Sequence, residues 1–268
     1  MLALRGVCHT YPNGVRALDG IDLTVAEGEI VAVIGGSGCG KSTLLRLIAG
    51  LDRPTGGEIR LDGSEITEPN ARVGVVFQEP RLMPWLSIAD NVAFGLVGNV
   101  PAALRAARVA SALERVGLAA YATAWPRELS GGQAQRAAIA RALVCEPDVL
   151  LMDEPFGALD PFTRAGLQDH LLGLWVDRRP TLVMVTHDAE EAALLADRVV
   201  VVRPRPGRIE ASVNVALPRP RERGSADVEQ VKRTLIGLLN RTFETITETT
   251  QDRDGWPPAR SAALEWQI

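Results

Sequence analysis

Aromatic side chains are scarce in this chain, at 4% of 268 residues, and so are cysteine and histidine, with three of each. The thiols Cys8, Cys39 and Cys145 are odd in number and widely scattered, which excludes a disulfide framework and a CxxC metal site and suits a reducing compartment. No apolar run approaches the roughly 18–20 residues that cross a bilayer, and the opening MLALRGVCHTYPNG has no charged segment followed by a long apolar one. The expectation is a cytoplasmic chain that is neither exported nor membrane-spanning. An excess of positive charge is missing too: a net charge of −4 and a pI of about 5.5 exclude a general nucleic-acid binder. Any phosphate binding is therefore local. There is no internal repeat and no coiled-coil heptad pattern.

What the chain does have is core material, since 46% of its residues are hydrophobic. Two short β-rich runs, LALRGVCHTY and VRALDGIDLTV, precede EGEIVAVIGG, and GGEIRLDG adds a strand and turn, which predicts an antiparallel sheet near the start. Beyond it the pattern is α/β: IVAVIG, RVGVVF, DVLLMD and TLVMVTH alternate with helical stretches, as parallel strands with crossovers require. IVAVIG is apolar throughout, so both of its faces are covered. About 70 residues separate VVFQ from DVLLMD and include PAALRAARVASALERVGL and GGQAQRAAIARALV; this is too long for a crossover and predicts a helical insertion at about 87–147. The main domain is expected over 1–225, with a C-terminal helix and polar tail over 226–268. The arginines of RPRPGRI and LPRPRERG, between 203 and 223, read as solvated turns, with contact to anionic lipid as the alternative.

GGSGCGKST, residues 35–43, matches GxxxxGK[ST] and lies between a buried strand and the helical STLLRLIAG, the context the motif demands. Gly35, Gly36, Gly38 and Gly40 let backbone amides turn inward around phosphate oxygens, with Ser37 and Cys39 as small residues of the same loop. Lys41 is placed to bridge the β- and γ-phosphates, Ser42 offers a hydroxyl to Mg²⁺, and Thr43 completes the motif. ATP and Mg²⁺ are thus the expected cofactors. Asp153 and Glu154 follow the apolar VLLM and emerge at a strand's carboxyl end, beside the phosphate loop on a neighbouring strand. Adjacent acids repel, and a metal and a water resolve the conflict: Asp153 faces Mg²⁺ and Glu154 takes a proton from the attacking water.

LSGGQ, residues 129–133, opens a helix, with Ser130 as its cap, Gly131 and Gly132 at its positive end and Gln133 following. Alone, such a pentapeptide is equally an ordinary helix start. With the phosphate loop, LLMDEP, GALD and VTHD in the same chain, residues 2–215 resemble the ATP-binding-cassette (ABC) ATPases. The resemblance implies a P-loop NTPase core with a parallel sheet, an N-terminal antiparallel β subdomain and an inserted helical subdomain. It implies a head-to-tail homodimer in which Lys41 of one subunit and Ser130, Gly131 and Gly132 of the other hold the same ATP. It further implies that Tyr11 stacks on adenine, Gln78 touches metal and attacking water, His187 contacts the γ-phosphate, and Asp160 crosses the dimer interface.

QEPRLMPWLS, residues 78–87, carries two prolines that break helix and sheet alike. By itself it reads as a loop packed back on its own core. In ABC transporters this region receives a cytoplasmic helix of the transmembrane permease, which gives Leu82, Met83, Trp85 and Leu86 an apolar partner. FQEPRLMPWLSIADNVAFGL, MDEPFGALDPFTRAGLQDHLLGLW and RPRPGRI resemble the nitrate/sulfonate/taurine importer ATPases. That resemblance implies an ATPase at the cytoplasmic face of the membrane, two permease subunits and an extracytoplasmic solute-binding protein. Sulfonate or taurine is the first expected cargo and nitrate the second. The alternative is a soluble cassette of the iron–sulfur assembly type.

Overall fold

The computed structural model describes residues 1–254. Two sheets organise it. The first is antiparallel, in the order β2-β1-β4-β5, from β1 (Leu2–Thr10), β2 (Arg16–Val25), β4 (Gly56–Leu61) and β5 (Ser64–Glu65). The second runs β10-β9-β3-β8-β7-β6, from β3 (Ile30–Gly35), β6 (Val73–Val76), β7 (Val149–Asp153), β8 (Thr181–Thr186), β9 (Arg198–Arg203) and β10 (Arg208–Asn214). It is parallel throughout except for β10, which turns back along β9.

The all-apolar β3 serves two cores at once, because alternate side chains leave opposite faces of a strand. Val31 and Val33 join Leu44, Leu45, Leu47 and Ile48 of α1 (Lys41–Ile48) and the inner face of the antiparallel sheet. Ile30, Ala32 and Ile34 face the other way, into a core shared with the remaining helices. Those helices are α2 (Ile88–Ala93), α3 (Ala102–Arg115) and α4 (Gly131–Leu143) between β6 and β7, then α5 (Pro161–Arg178), α6 (Ala189–Leu195) and α7 (Ala226–Asp254). Helix α1 therefore lies between the two sheets. Val228 and Leu235 of α7 are fully buried in the larger core, so the start of this helix is packed against the sheet layer.

Two expectations are corrected here. Strand β7 does not neighbour β3: β8 lies between them and pairs with both. The arginines between 203 and 223 are not simply solvated: Arg205, Arg208 and Arg223 are exposed and Arg203, Arg219 and Arg221 half-buried, but all except Arg205 have protein partners among the described residues. Arg208 pairs with Asp19, Arg219 with Asp197, Arg223 with Asp169, and Arg203 lies 3.6 Å from Glu210. Arg221 donates to the carbonyls of Ala193, Leu194 and Ala196, acceptors that the end of α6 leaves without helical partners, and to those of Val215 and Leu217. Burial pushes the Arg221 guanidinium down to about 10. A guanidinium so placed acts as a bracket between α6 and the chain leading to α7.

Candidate functional site

The loop after β3 turns on Gly40, whose φ of 91° is ready for glycine and costly for any other residue. There the chain enters α1, and Lys41 folds back over its own loop, donating from Nζ to the carbonyls of Gly35 at 2.8 Å and Gly36 at 3.3 Å. Neutral carbonyls do not cancel the ammonium charge, so a phosphate is the stronger partner. The Cys39 side chain is buried in the inter-sheet core, 1% exposed, with its sulfur 4.0 Å beneath Lys41 Nζ, and burial pushes its thiol up. Only its backbone belongs to the loop face.

Although β8 intervenes, α1 leans across it far enough for Ser42 Oγ to donate to Asp153 Oδ1 at 3.2 Å. Burial raises the Asp153 pKa, the Ser42 hydrogen bond opposes the shift, and the neighbouring Glu154 charge adds to it. Glu154 has a left-handed φ of 45°, and its amide donates to Val185 O at 3.0 Å. The conformation sends its carboxylate back toward the loop, where Oε2 is 3.2 Å from His187 Nδ1. Gly157 holds the Gln78 amide and the Glu154 carboxylate in one neighbourhood, since a Cβ there would stand 3.4 Å from Gln78 Nε2 and 3.7 Å from Glu154 Oε2.

Tyr11 closes the far side. Its hydroxyl shares a 2.8 Å hydrogen bond with Thr43 Oγ1, and the ring of His9 meets it edge-on at 4.8 Å. Tyr11, Ser37, Gly38, Gly40, Lys41, Ser42, Thr43, Glu154 and His187 line one open cavity of about 650 Å³. Val15, Arg16, Ala17 and Arg205 line it as well. Sequence reasoning passed over these four. Val15 to Ala17 follow Tyr11 closely enough to have been suspected, whereas Arg205 carries no local signal.

The signature segment stands apart. Ser130 caps α4 in a reciprocal box, accepting from Gln133 N at 3.3 Å while its own amide donates to Gln133 Oε1 at 2.9 Å. Gly132 is buried against Thr163 at the first turn of α5, and Asp160 caps that helix through the amides of Phe162 and Thr163. Ser130, Gly131, Gly132 and Gln133 do not line the cavity that holds Lys41. One chain thus presents a cavity lined by the Lys41 loop and, elsewhere, a helix start at which Ser130 and Gly131 are exposed and Gly132 is buried.

The loop at 78–87 is held firmly from beneath. The fully buried Asn91 accepts from Met83 N at 2.7 Å and donates to the carbonyls of Met83, Leu86 and Ser87. Arg141 of α4 donates to the carbonyls of Pro80 and Arg81. Leu82 packs on the larger core, Met83 and Leu86 are half-buried, and Trp85 is 69% exposed.

The family model described as ABC transporter matches residues 18–157. The chain belongs to the ABC transporter family. As a cassette of that family it binds and hydrolyses ATP. It is 51% identical over 229 residues to the aliphatic sulfonates import ATP-binding protein SsuB 1 of Xanthomonas axonopodis pv. citri, covering 84% of this chain and 91% of the relative. It is 48% identical to an uncharacterised ABC transporter ATP-binding protein of Methanocaldococcus jannaschii, covering 85% of each. Among solved structures, a dimeric ATP-binding cassette in a post-hydrolysis state bound to ADP and Pi aligns with a TM-score of 0.71 at 34% identity, over 81% of this chain and all of that one. The cbiO1 cassette of Clostridium perfringens, part of the cbiONQ transporter complex, aligns with a TM-score of 0.74 at 30% identity, over 93% and 98%.

Proposed function

We propose that this cassette is the ATP-hydrolysing subunit of an importer for aliphatic sulfonates, working as a homodimer at the cytoplasmic face of the membrane beneath a separate permease. The observation that carries the mechanism is the separation of the two anion-binding features. Lys41 and the loop occupy one cavity, the Ser130 helix start lies outside it, and a second copy placed head to tail brings the missing half. ATP then acts as the glue of the closed dimer, and its hydrolysis reopens it.

Within the cavity Glu154 is the general base for the attacking water, held toward the loop by its own backbone and by His187. Gln78, beside the same carboxylate, orients that water, and His187 reads the γ-phosphate. Tyr11 stacks on the adenine, and the backbone of residues 35–43 cradles the phosphates. Mg²⁺ fits the donor set, because Ser42 Oγ and Asp153 Oδ1 are hard oxygens 3.2 Å apart, and Ser42, Asp153 and Gln78 would hold it together with the nucleotide phosphates. Bound there, the ion would neutralise charge building on the phosphates.

The exposed Trp85, on a loop fixed by Asn91 and Arg141, is a pre-formed anchor for the permease. Sulfonate as cargo rests on the import function named for relatives at 44–51% identity, several of them aliphatic sulfonate import proteins. It is delivered by a solute-binding protein on the far side of the membrane. The test is growth of a deletion strain with an alkanesulfonate or taurine as sole sulfur source. Uptake equal to the parent, in a strain without a redundant system, rejects this cargo and leaves the ATPase assignment standing.

A further inference from the structure

Of the arginines between 203 and 223, Arg203, Arg208, Arg219, Arg221 and Arg223 all have protein partners, and Arg205 has none among the described residues. It is exposed, yet it lines the nucleotide cavity. We infer that Arg205 is a direct ligand of the bound nucleotide, contacting the phosphates that ATP and ADP share. The inference rests on the cavity being the ATP site.

Its placement follows from how the turn between β9 and β10 is fastened. Gly207 N donates to Ala17 O and Asp19 N donates to Gly207 O, both at 2.9 Å, so the turn adds to β2 as a short parallel bridge at Leu18. No side chain fits at Gly207, where a Cβ would stand 2.2 Å from Cys39 O and 2.9 Å from Ala17 O. The turn is therefore seated against both the phosphate loop and the start of β2. Arg208, one residue on, pairs with Asp19, which also holds Arg16.

This clamp leaves Arg205 at a left-handed φ of 63°, a conformation that costs a non-glycine residue free energy and persists only where the surroundings impose it. The wall it joins meets the loop at Gly40, where a Cβ would touch Leu18 and Ala17 O, at the head of α1. Glu154 and His187 approach from β7 and β8 instead. Arg205 thus belongs to the loop side of the cavity, away from the hydrolytic end. Of the two arginines there, Arg16 has its charge answered by Asp19, and Arg205 keeps its fork of donors free for an anion.

The test measures affinity of the full-length protein for ADP and for a non-hydrolysable ATP analogue, together with KM and kcat. Arg205→Ala and Arg205→Gln, the second retaining part of the stem, should weaken both nucleotides about 5- to 20-fold and raise KM alike, with kcat within about twofold. Arg205→Lys should recover part of the loss, and Arg233→Ala on α7 should change nothing. The Tm without nucleotide should match the wild type, since Arg205 has no partner to lose. Unchanged affinity in both variants overturns the inference. So does a loss confined to the ATP analogue, which would move Arg205 to the γ-phosphate, or a fall in kcat at constant KM. Failure of the wild type to bind ATP, or an indifferent Lys41→Ala, would instead break the assignment of the cavity itself.

Discussion

The parallel sheet carries a charged cavity at each end, and the two are unlike in one respect. At the amino end, about 500 Å³ is lined by Met1, Asp62, Arg72, Glu146, Asp148 and Arg178, among others. Arg72 there bridges Asp62 and Asp148, Arg178 pairs with Glu146, and the chain's amino terminus pairs with Asp62. Arg179 lies over the Trp175 ring. At the carboxyl end two cations lack a carboxylate: Lys41 meets two carbonyls and, at 4.0 Å, the Cys39 sulfur, and Arg205 has no hydrogen-bond or ion-pair partner among the described residues. At the amino end most of the charges answer one another, although Arg115 donates only to Leu174 O; at the carboxyl end Arg16 is answered by Asp19 while Lys41 and Arg205 have no carboxylate partner, which suits an anion. Volume does not distinguish them. Charge accounting does.

That contrast can be broken from either end. Glu154→Gln should strike hardest: nucleotide binding persists while turnover falls roughly 10²-fold or more, and ATP-bound dimer accumulates in size-exclusion chromatography. Near-normal hydrolysis by this variant would remove Glu154 from its role. Next comes a mixture of Lys41→Ala and Ser130→Arg chains, each inactive alone. Mixed dimers hold one intact composite site, so up to about a quarter of wild-type sites should return. A mixture as dead as its components would refute the head-to-tail arrangement.

Trp85→Ala tests a surface that neither cavity includes. The isolated ATPase should keep its fold and activity, and its association with permease in detergent should weaken by roughly 2 kcal/mol or more. Unfolding of the isolated variant would return Trp85 to a structural role. Arg72→Ala should do least. Exposed ion pairs contribute little, so Tm should fall by roughly 1–4 °C, with ATP affinity untouched. A marked loss of ATP binding in Arg72→Ala would erase the distinction between the two ends.

Local chemistry was legible from sequence and pair choice was not. GGSGCGKST, the acids after VLLM, and LSGGQ announce themselves because each motif is one continuous stretch whose backbone builds its own geometry. The antiparallel start and the apolar β3 were visible for the same reason. The insertion of β8 between β3 and β7 was hidden, since strand order is decided by how crossover helices pack. Arg205 was hidden more deeply. It enters the cavity through Gly207 and Ala17, 190 residues apart in the chain, and nothing in RPRPGRI announces that partner. The opposite error arose at Arg219 and Arg221, where an arginine-rich, proline-rich stretch read as solvent-facing turns out to cap a helix end and bridge elements.

Helix α4 begins at the capping residue Ser130, donates from Gln135 to Phe77 O just before Gln78, and grips the carbonyls of Pro80 and Arg81 through Arg141 near its other end. Thirteen residues make a stiff rod about 20 Å long. Mechanically it has the form of a rocker arm, with one end under the loop that carries Trp85 and the other at the helix start proposed to meet a partner's nucleotide. In the proposed assembly, a tilt imposed at the tryptophan would be delivered as a displacement at Ser130. In the proposed dimer, the loop offered to the permease would thereby be coupled to a site completed by the opposite subunit.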